Sequence, residues 1–456
     1  MTSTDELDFL AIGAGACGLA GAIAAHDAGL SAAIVEKLAR PGGNSSLSTG
    51  SVPAAGSRFQ REAGIEDDPE RMVRDLTRIA GETDDPALLR RLAEVSAATV
   101  EWLVDTVGAR LALVTAYRHI GHSVPRLHAP VSRRGQDLVD DLLAAAARRD
   151  IPLALGNPVT RLIVEGGAVR GAVVDGAEIR ARHTLLAVNG FAGDPALVRR
   201  FCPEIAGAQY FGALGSTGEA IRWGEELGAA FGNMAAYQGY AAVAYPQGSL
   251  LSWTTIEKGG ILLDPQGRRF GDESLGYSGY ARLVLEQGGE AYALFDQRIF
   301  DIAAQEEEFA ELAAHGGARR AATVEEAAVL YGLPAAAVAE EVAAYNAAAT
   351  GAAADRHGRR DTGLAPLRAP FYVARVVPGL FHTQGGLRVD ADARVLHPDG
   401  SPIPGLFAGG GAAIGISGRA GALGYASGNG LLTAIALGRL AGLAAAAETG
   451  AAVPAA

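Results

Sequence analysis

Glycines at positions 13, 15 and 18 form a Gly-x-Gly-x-x-Gly pattern, a spacing that can hold the pyrophosphate of a dinucleotide. Gly13 permits a tight turn, Gly15 lets the backbone approach the phosphates, and Gly18 allows a helix to pack closely on a strand. Glu36 follows eighteen residues after Gly18 and can accept hydrogen bonds from a ribose. This spacing alone leaves NAD and FAD both open.

The glycine pattern requires a strand before it and a helix after it. The apolar run Leu7–Ile12 predicts a buried strand, and the Ala-rich stretch after the glycines predicts a helix. Its N-terminus, at Ala16 and Cys17, would offer N–H groups and a positive dipole end to the phosphates. Ala32–Val35 predicts a second strand that ends on the acid. These elements together predict a Rossmann-like dinucleotide-binding unit.

Four later stretches of small residues can touch the same cofactor. Lys37–Gly50 is a Gly/Ser/Asn loop whose N–H groups and hydroxyls can wrap a ribityl chain. Thr184–Val188 predicts a strand that enters a small-residue turn, and Gly405–Ala408 predicts one that enters a glycine loop. A turn at Ala426–Gly430 precedes a long final helix. Because these stretches can contact the cofactor beyond its ADP half, they indicate FAD rather than NAD. The candidate cofactor-binding residues are Gly13, Gly15, Ala16, Cys17, Gly18, Glu36, Lys37, Gly43, Asn44, Ser45, Ser46, Ser48, Gly50, Val159, Ala187, Asn189, Gly190, Gly409, Gly410, Gly428, Asn429 and Leu431.

The net charge and the cysteine content indicate which classes of partner and which cellular compartment to expect. The formal net charge of -12 argues against nucleic acid and anionic membrane surfaces as partners. Cys17 and Cys202 are the two cysteines, and no apolar segment precedes the first strand, so we expect reduced thiols and a cytoplasmic protein. The longest uncharged stretch, between Arg419 and Arg439, is too polar in its first half for a membrane span.

A histidine-rich patch occupies Tyr117–Gly135 and raises the question of a metal site. It holds His119, His122 and His128 among four arginines, and no cysteine or acid completes a ligand set. We therefore predict no metal. Two interpretations stay open, a polar loop near an anionic or carbonyl substrate and an ordinary surface loop.

The composition changes near Asn233, where aromatic residues concentrate and the nucleotide motifs stop. We predict an inserted capping (substrate) domain over residues 235–381, between the two parts of a FAD-binding domain at 1–234 and 382–456. The predicted fold class is α/β, a Rossmann-like FAD-binding domain split by an inserted α+β capping domain. A cleft between two such domains is the default ligand site.

Six motifs together resemble one flavoprotein family over nearly the whole chain. In order they are GAGACG with Glu36-Lys37, GGNSSLSTG, AVNGFAGD, GRRFGDES, HTQGG and GLFAGG…GYASGNGL. The family includes fumarate reductases, succinate dehydrogenase flavoprotein subunits, urocanate reductase and 3-ketosteroid dehydrogenases. The resemblance implies FAD with its isoalloxazine at the interdomain cleft. The stretch Gly43–Ser46 has no match to the family's covalent-attachment histidine, so we expect non-covalent FAD.

This chain departs from the family's dicarboxylate reductases at the substrate positions. Those enzymes use one arginine as proton donor and another as a carboxylate clamp, and the corresponding positions here are Tyr277 and Tyr425. A substrate histidine corresponds to Tyr240, and His382 of the H-T-x-G-G motif is retained. Tyrosine does not reproduce the bidentate guanidinium fork, so the sequence argues against fumarate reduction.

The tyrosines instead resemble those of the 3-ketosteroid dehydrogenase branch. That resemblance implies Tyr277 as the base that removes an α-proton, with hydride transfer to flavin N5, and Tyr425 as the donor that polarises the ketone. His382 could donate to the substrate or orient a tyrosine, and Arg419 could meet a carboxylate. We predict a desaturase acting on CH–CH bonds beside the carbonyl of a cyclic ketone or keto-acid.

Three alternatives to this activity stay open. They are a flavin-dependent enoate or fumarate-type reductase, the flavoprotein subunit of an electron-transfer complex, and a flavin-binding protein without catalysis. The chain has no cysteine cluster for an iron–sulfur centre of its own. The electron acceptor could be oxygen, a quinone or an electron-transfer protein.

Overall fold

The computed structural model of the chain describes residues 6–115, 119, 121–359, 364–422 and 424–451. The β-strands in these ranges are β1 Leu7–Ile12, β2 Ala32–Glu36, β3 Val52–Pro53, β4 Leu111–Leu113, β5 Leu127–Pro130, β6 Leu153–Leu155, β7 Val159–Glu165, β8 Ala168–Val174, β9 Ala177–Leu186, β10 Gln209–Tyr210, β11 Phe231–Gly232, β12 Ala235–Ala244, β13 Ile261–Leu263, β14 Ala291–Asp296, β15 Arg319–Ala321, β16 Phe371–Thr383, β17 Gly386–Leu387, β18 Arg394–Leu396, β19 Pro402–Ala408 and β20 Ala420–Gly421. The α-helices are α1 Ala16–Asp27, α2 Gly43–Leu47, α3 Arg58–Glu62, α4 Pro69–Ala80, α5 Pro86–Trp102, α6 Gly135–Ala147, α7 Pro195–Phe201, α8 Glu219–Leu227, α9 Thr254–Glu257, α10 Gly276–Glu286, α11 Gln297–Ala303, α12 Glu307–Ala314, α13 Val324–Val329, α14 Ala335–Ala349 and α15 Asn429–Glu448.

The chain divides into two compact units. Unit 1 contains Met1–Cys202, Gly212–Tyr237 and His382–Ala456, and unit 2 contains Pro203–Phe211 and Gln238–Phe381.

The sequence assigns Pro203–Phe211 to the first part of the FAD-binding domain, and this assignment is wrong. The segment lies in unit 2 because β10 pairs in parallel with β16, with Gln209 opposite Gly379. Residues 235–237 lie in unit 1 rather than in the insertion, since the start of β12 pairs with β20. Both corrections come from pairings between segments far apart in sequence, which composition cannot reveal.

The main sheet of unit 1 follows the order β18-β19-β9-β1-β2-β6. Strands β19, β9, β1, β2 and β6 are parallel, and β18 adds an antiparallel edge. In this register Ile12 lies opposite Val35 and Leu186, and Leu186 lies opposite Ala408. The carboxyl ends of four strands therefore form one row, and the loops that leave this row are those predicted to bind the cofactor.

The first and last helices of unit 1 pack against each other through glycines. A Cβ on Gly438 of α15 would lie 2.2 Å from the Cys17 carbonyl oxygen, and one on Gly442 would lie 2.5 Å from the Gly21 carbonyl oxygen. In the described part of the chain α15 is the one helix long and apolar enough to cross a membrane, and 89% of its apolar window is buried inside the protein. Packing against α1 accounts for that apolar composition.

Two predicted segments of unit 1 differ from the structure. The strand predicted at Thr184–Val188 is the end of β9, which begins at Ala177 because it pairs with β8 and stops at Leu186. The loop Lys37–Gly50 contains the short helix α2. Strands β7 and β8 form an antiparallel hairpin.

Unit 2 has a mixed sheet in the order β13-β14-β16-β12, with β10 and β15 also paired to β16. Strand β14 is buried along its whole length, and it runs antiparallel to β16 from Ala291 to Asp296. Helix α10 packs beside this sheet, since Gly239 of β12 approaches Ala281 so closely that a Cβ would lie 2.8 Å from it. The N-terminal turn of α10 carries Tyr277.

Candidate active site

The glycine turn after β1 has a geometry that requires glycine. Gly13 has φ +111°, and a Cβ there would lie 2.3 Å from the Ala187 carbonyl oxygen. A Cβ on Gly18 would lie 1.9 Å from the Gly13 carbonyl oxygen. A Cβ on Gly15 would make only an ordinary van der Waals contact, 3.5 Å from the Gly42 carbonyl oxygen. The turn therefore brings backbone close to backbone at Gly13 and Gly18, as a phosphate-binding turn does.

The N-terminus of α1 has Gly15 as its N-cap and no side-chain cap. The Ala16 N–H donates to Ser45 Oγ at 3.3 Å, which ties the helix to α2. Burial raises the pKa of the Cys17 thiol to about 12, so this thiol stays protonated and serves as a small packing group. A helix N-terminus that follows directly on a glycine turn fits a bound pyrophosphate.

Glu36 is held at the end of β2 by two backbone donors. Its Oε2 accepts from the Ala14 N–H at 2.9 Å, and its Oε1 accepts from the Leu38 N–H at 2.8 Å. Each oxygen keeps further acceptor capacity that ribose hydroxyls can use. Lys37, predicted to bind the cofactor, places its ammonium on the Thr217 hydroxyl at 2.8 Å and on the Glu219 carboxylate.

The loop after β2 offers one amide to a cofactor. Asn44 Oδ1 accepts from the Ala213 N–H at 2.6 Å, while Asn44 Nδ2 is buried and has no hydrogen-bond partner among the described residues. Ser46 and Ser48 donate within the loop, to Gly43 and to Ser45 at 2.9 and 2.7 Å. A buried donor without a partner is costly unless a ligand accepts from it.

The residues at this row of strand ends fit a bound FAD. The glycine turn, the helix N-terminus, the fixed carboxylate of Glu36 and the unpartnered amide of Asn44 lie on loops that leave one row of strand ends. These residues would hold the pyrophosphate and ribose of the cofactor. Bound FAD would supply a two-electron hydride acceptor.

The turns after β9 and β19 pack tightly on the glycine turn. Asn189 has φ +66°, and its Oδ1 accepts from the Gly190 N–H at 2.9 Å. A Cβ on Gly190 would lie 2.2 Å from Thr383 Oγ1, and one on Gly409 would lie 2.6 Å from Cys17 Sγ. Gly410, with φ +60°, follows in the same loop. These small residues are therefore required by close backbone packing beside the predicted cofactor.

The remaining predicted cofactor residues have structural partners. Gly428, with φ +79°, is the N-cap of α15. Gly50 has φ +69°, and a Cβ there would lie 2.8 Å from Pro130 Cδ. Asn429 Nδ2 donates to Gln384 Oε1 at 3.0 Å and to Ser417 Oγ at 2.6 Å. The apolar residues Val159 and Leu431 pack against the core of unit 1.

Tyr425 and His382 are the predicted substrate residues beside the N-terminus of α15 in unit 1. Tyr425 is half-buried in the turn before this helix. The His382 ring lies next to the same turn, with its Cε1 3.7 Å from an ideal Cβ on Gly430. Desolvation lowers the pKa of His382 below its ordinary value, so the imidazole is neutral at pH 7.

Tyr277 and Tyr240 belong to an aromatic cluster in unit 2. Their ring centroids are 4.9 Å apart, and the ring of Trp253 lies 6.3 Å from that of Tyr277. The Tyr240 hydroxyl donates to the Leu251 carbonyl at 3.0 Å, and burial raises the pKa of Tyr240 above its ordinary value. Tyr240 therefore packs behind Tyr277, which is the half-buried member of this pair.

Four buried charges anchor the segment that leads to Tyr277. Glu273 accepts from Arg269 Nε at 2.9 Å and from Nη2 at 2.6 Å, and it faces Arg359 at 3.7 Å. Asp355 accepts from Arg269 Nη1 at 2.6 Å. Sequence reasoning misses this group, because Arg269 and Glu273 lie outside any α-helix and Asp355 and Arg359 come more than 80 residues later. The network fixes the chain four residues before Tyr277.

Removing the central acid of this network should destabilise the protein strongly. We expect Glu273→Ala to lower the free energy of unfolding by about 3–5 kcal/mol, because it leaves two buried guanidinium groups without their shared partner. Urea denaturation followed by circular dichroism measures the change. Glu340→Ala is the control, since Glu340 pairs with Arg268 and Arg356 at the exposed surface. Equal urea midpoints for the two variants would contradict the expectation.

Arg419 does not have the surroundings of a substrate clamp. Its Nε donates to Asp84 at 2.6 Å and its Nη1 donates to Glu82 at 2.9 Å, and the side chain is 55% exposed. Two acids of the same unit already occupy the guanidinium. We therefore do not assign Arg419 a role in binding a substrate carboxylate.

The histidine-rich patch is not an ordinary surface loop. His122, Arg126 and His128 are buried, and desolvation lowers the pKa of both histidines to about 4. Tyr117 and Arg118 lie outside the described residues. Within the described ranges, no group of three or more histidines, cysteines or acids is placed to hold a metal ion. One signal for a buried network is Asp75, which shares the apolar face of α4 with Met72 and Leu76.

Comparison with known proteins identifies the family of this chain. Residues 8–431 match the FAD binding domain family. The NADH:fumarate oxidoreductase of Klebsiella pneumoniae (strain 342) is 31% identical over 444 residues, which cover 95% of this chain and 47% of that protein. The chain thus spans about half the length of that relative.

Two solved structures share the whole fold. An open conformation of a flavocytochrome c3 fumarate reductase superposes with a TM-score of 0.83 at 29% identity, covering 97% of this chain and 78% of that chain. The 3-ketosteroid-delta4-(5alpha)-dehydrogenase from Rhodococcus jostii RHA1, in complex with 4-androstene-3,17-dione, superposes with a TM-score of 0.76 at 26% identity, covering 98% of both chains.

These matches confirm the predicted family resemblance, the split Rossmann-like fold and FAD as the cofactor. The chain belongs to the FAD binding domain family of flavin-dependent oxidoreductases.

Proposed function

We propose that this protein is a FAD-dependent dehydrogenase that introduces a carbon–carbon double bond beside the carbonyl of a cyclic ketone or keto-acid. Tyr277 carries the proposal, because it is a half-buried phenol on the first turn of α10. The resemblance to dicarboxylate reductases implies an arginine at this position. A phenol can remove a proton but cannot clamp a carboxylate with two parallel hydrogen bonds.

Desaturation removes a proton from the α-carbon and a hydride from the β-carbon. Tyr277 would take the α-proton, and the hydride would go to bound FAD. A free phenol has a pKa of about 10, so the base needs help from its surroundings. The N-terminal end of α10 supplies part of that help, since a helix N-terminus stabilises negative charge.

Tyr425 would bind the ketone oxygen. A tyrosine hydroxyl that donates to this oxygen stabilises the negative charge that develops as the α-proton leaves. His382 Nδ1–H donates to the Thr383 carbonyl at 3.2 Å, so the neutral imidazole has a bare Nε2 that can accept a hydrogen bond but cannot donate one to the ketone. His382 would therefore orient Tyr425. Both residues lie beside the N-terminus of α15, so unit 1 can present them together.

The compared proteins support a reaction at a carbon–carbon bond. One relative is named as a fumarate oxidoreductase and one structural neighbour as a ketosteroid dehydrogenase. Both reactions interconvert a single and a double bond next to a carbonyl group. The tyrosines at 277 and 425 favour the ketone over the dicarboxylate.

Anaerobic mixing tests the proposal directly. We expect cyclohexanone, a cyclic keto-acid or 4-androstene-3,17-dione to reduce the bound flavin, which loses its visible absorbance. Product analysis by mass spectrometry should show the loss of two hydrogens. A dye such as phenazine methosulfate then replaces the natural electron acceptor for steady-state assays. If none of these ketones reduces the flavin, the proposed direction is wrong.

A fumarate-type or enoate reductase is the second candidate. It is favoured by His382, which the H-T-x-G-G motif retains, and by the 31% identity to a fumarate oxidoreductase. Reduced dye with fumarate or 2-cyclohexenone separates the two candidates. Reoxidation of the flavin by these acceptors, without reduction by any ketone, would favour the reductase.

A further inference from the structure

A buried histidine of unit 1 holds the turn that carries Tyr425. His122 is 7% exposed, and its Nε2 lies 2.9 Å from the Ser427 carbonyl oxygen. Ser427 is two residues after Tyr425 and one before Gly428, the N-cap of α15. None of the roles described so far uses this histidine.

The partners of His122 determine which ring nitrogen carries the proton. The Ser427 carbonyl can only accept, so His122 Nε2 must donate to it. Arg126 Nη1 lies 3.5 Å from Nδ1 and can only donate, so Nδ1 must accept. A neutral imidazole satisfies both contacts, and desolvation, which lowers the pKa of His122 to about 4, keeps it neutral.

Arg126 lies on the Nδ1 side of the His122 imidazole and fixes its orientation. Its Nε and Nη2 donate to the two carboxylate oxygens of Asp67 at 2.7 Å each, and its Nη1 donates to Asp75 at 2.6 Å. The side chains of Arg126 and Asp67 are fully buried. A guanidinium held by two acids cannot rotate away, so the imidazole has a rigid support.

The turn is also packed tightly on both sides. A Cβ on Gly121, where φ is +93°, would lie 2.6 Å from the Cβ of Ala426. A Cβ on Gly428 would lie 2.7 Å from Pro53 Cδ. A shift of the Ser427 carbonyl would therefore move the backbone on either side of it.

We propose that His122 is a positioning residue whose Nε2–H holds the Ser427 carbonyl and thereby fixes the turn that presents Tyr425. The effect on turnover rests on the proposed role of Tyr425 as the donor to the ketone. The effect on the turn itself does not rest on that role.

Three variants test this proposal in the FAD-loaded protein. His122→Leu removes the donor to Ser427, and His122→Gln keeps an N–H donor at a similar reach. His128→Leu is the matched control, because His128 is equally buried and hydrogen-bonds Ser57 Oγ at 2.9 Å through its own Nε2. We expect both leucine variants to lower the melting temperature.

Turnover separates positioning from stability. With the ketone that reduces the flavin fastest, we expect His122→Leu to lower kcat per bound flavin about 10- to 100-fold with little change in KM. His122→Gln should recover most of this loss, and His128→Leu should keep the normal kcat per bound flavin. In a Tyr425→Phe background His122→Leu should have little further effect, because the positioned hydroxyl is already absent.

Amide hydrogen exchange tests the turn without any assay of activity. We expect His122→Leu to speed exchange at residues 425–430, and His128→Leu to leave those amides unchanged. Unchanged exchange in His122→Leu, or equal kcat losses in the two leucine variants, would overturn the inference. Normal kcat in Tyr425→Phe would instead overturn the proposed role of Tyr425, and the exchange result would still decide whether His122 holds the turn.

Discussion

Tyr277→Phe should lower kcat by about 100- to 10,000-fold while the protein keeps its FAD, because the variant lacks the phenol that we propose as the base for the α-proton. The phenyl ring still fills the space beside Tyr240 and Trp253, so we expect little change in folding. Anaerobic stopped-flow reduction of the flavin by the ketone measures the chemical step. The visible spectrum of the same sample reports the FAD content.

Tyr280→Phe is a closely matched control. Tyr280 lies one turn further along α10 in the same aromatic cluster, and its buried hydroxyl has no hydrogen-bond partner within the part of the chain that the structure describes. Loss of that hydroxyl removes an unsatisfied polar group, so flavin reduction should be normal and stability equal or higher. Near-normal flavin reduction in Tyr277→Phe would exclude Tyr277 as the base. Equal losses in both variants would point to general damage of the cluster.

Gly18→Ala should abolish useful FAD binding. The new Cβ would lie 1.9 Å from the Gly13 carbonyl oxygen, and both groups belong to the turn that is predicted to hold the phosphates. Backbone must move to relieve that contact, so the affinity for FAD should fall at least about a hundredfold, or about 2.7 kcal/mol. The flavin content of the protein after gel filtration, and titration of the apoprotein with FAD, measure the loss.

Gly29→Asn controls for a substitution at the opposite end of the same helix. Gly29 has φ +89°, and no atom lies within 4 Å of an ideal Cβ there. Asparagine tolerates positive φ better than other residues, so this variant should bind FAD normally. Full flavin content in Gly18→Ala would mean that the turn does not hold the phosphates.

The elements of the predicted site that the structure confirms are local in sequence. β1, the turn from Gly13 to Gly18, α1 and β2 follow one another within thirty residues, and each is visible as an apolar run, a glycine or a cap. Glu36 ends β2 as its spacing requires. In such a unit the chemical signal and the structural element coincide, so spacing alone suffices.

The parts that the sequence does not predict depend on partners far away in the chain. Arg419 lies in a glycine-rich stretch typical of a binding loop, but its partners Glu82 and Asp84 come more than 300 residues earlier. His122 lies in a polar stretch of the sequence, which is typical of a surface loop. In the fold it is buried, because it hydrogen-bonds the distant Ser427 carbonyl and packs beside Arg126, which is paired with Asp75. A pattern of residue types cannot encode such pairings, because they are set by the tertiary fold.

The contact between α1 and α15 has a consequence for how this protein matures. Gly438 and Gly442 seat the last helix against the first one, and β19 completes the main sheet only after unit 2 has been synthesised. About 400 residues separate the two helices, which a ribosome translates in roughly 20 to 80 s. Throughout that interval the phosphate turn exists without its final support. We therefore expect FAD to be incorporated after translation, and nascent unit 1 to depend on chaperones more than unit 2 does.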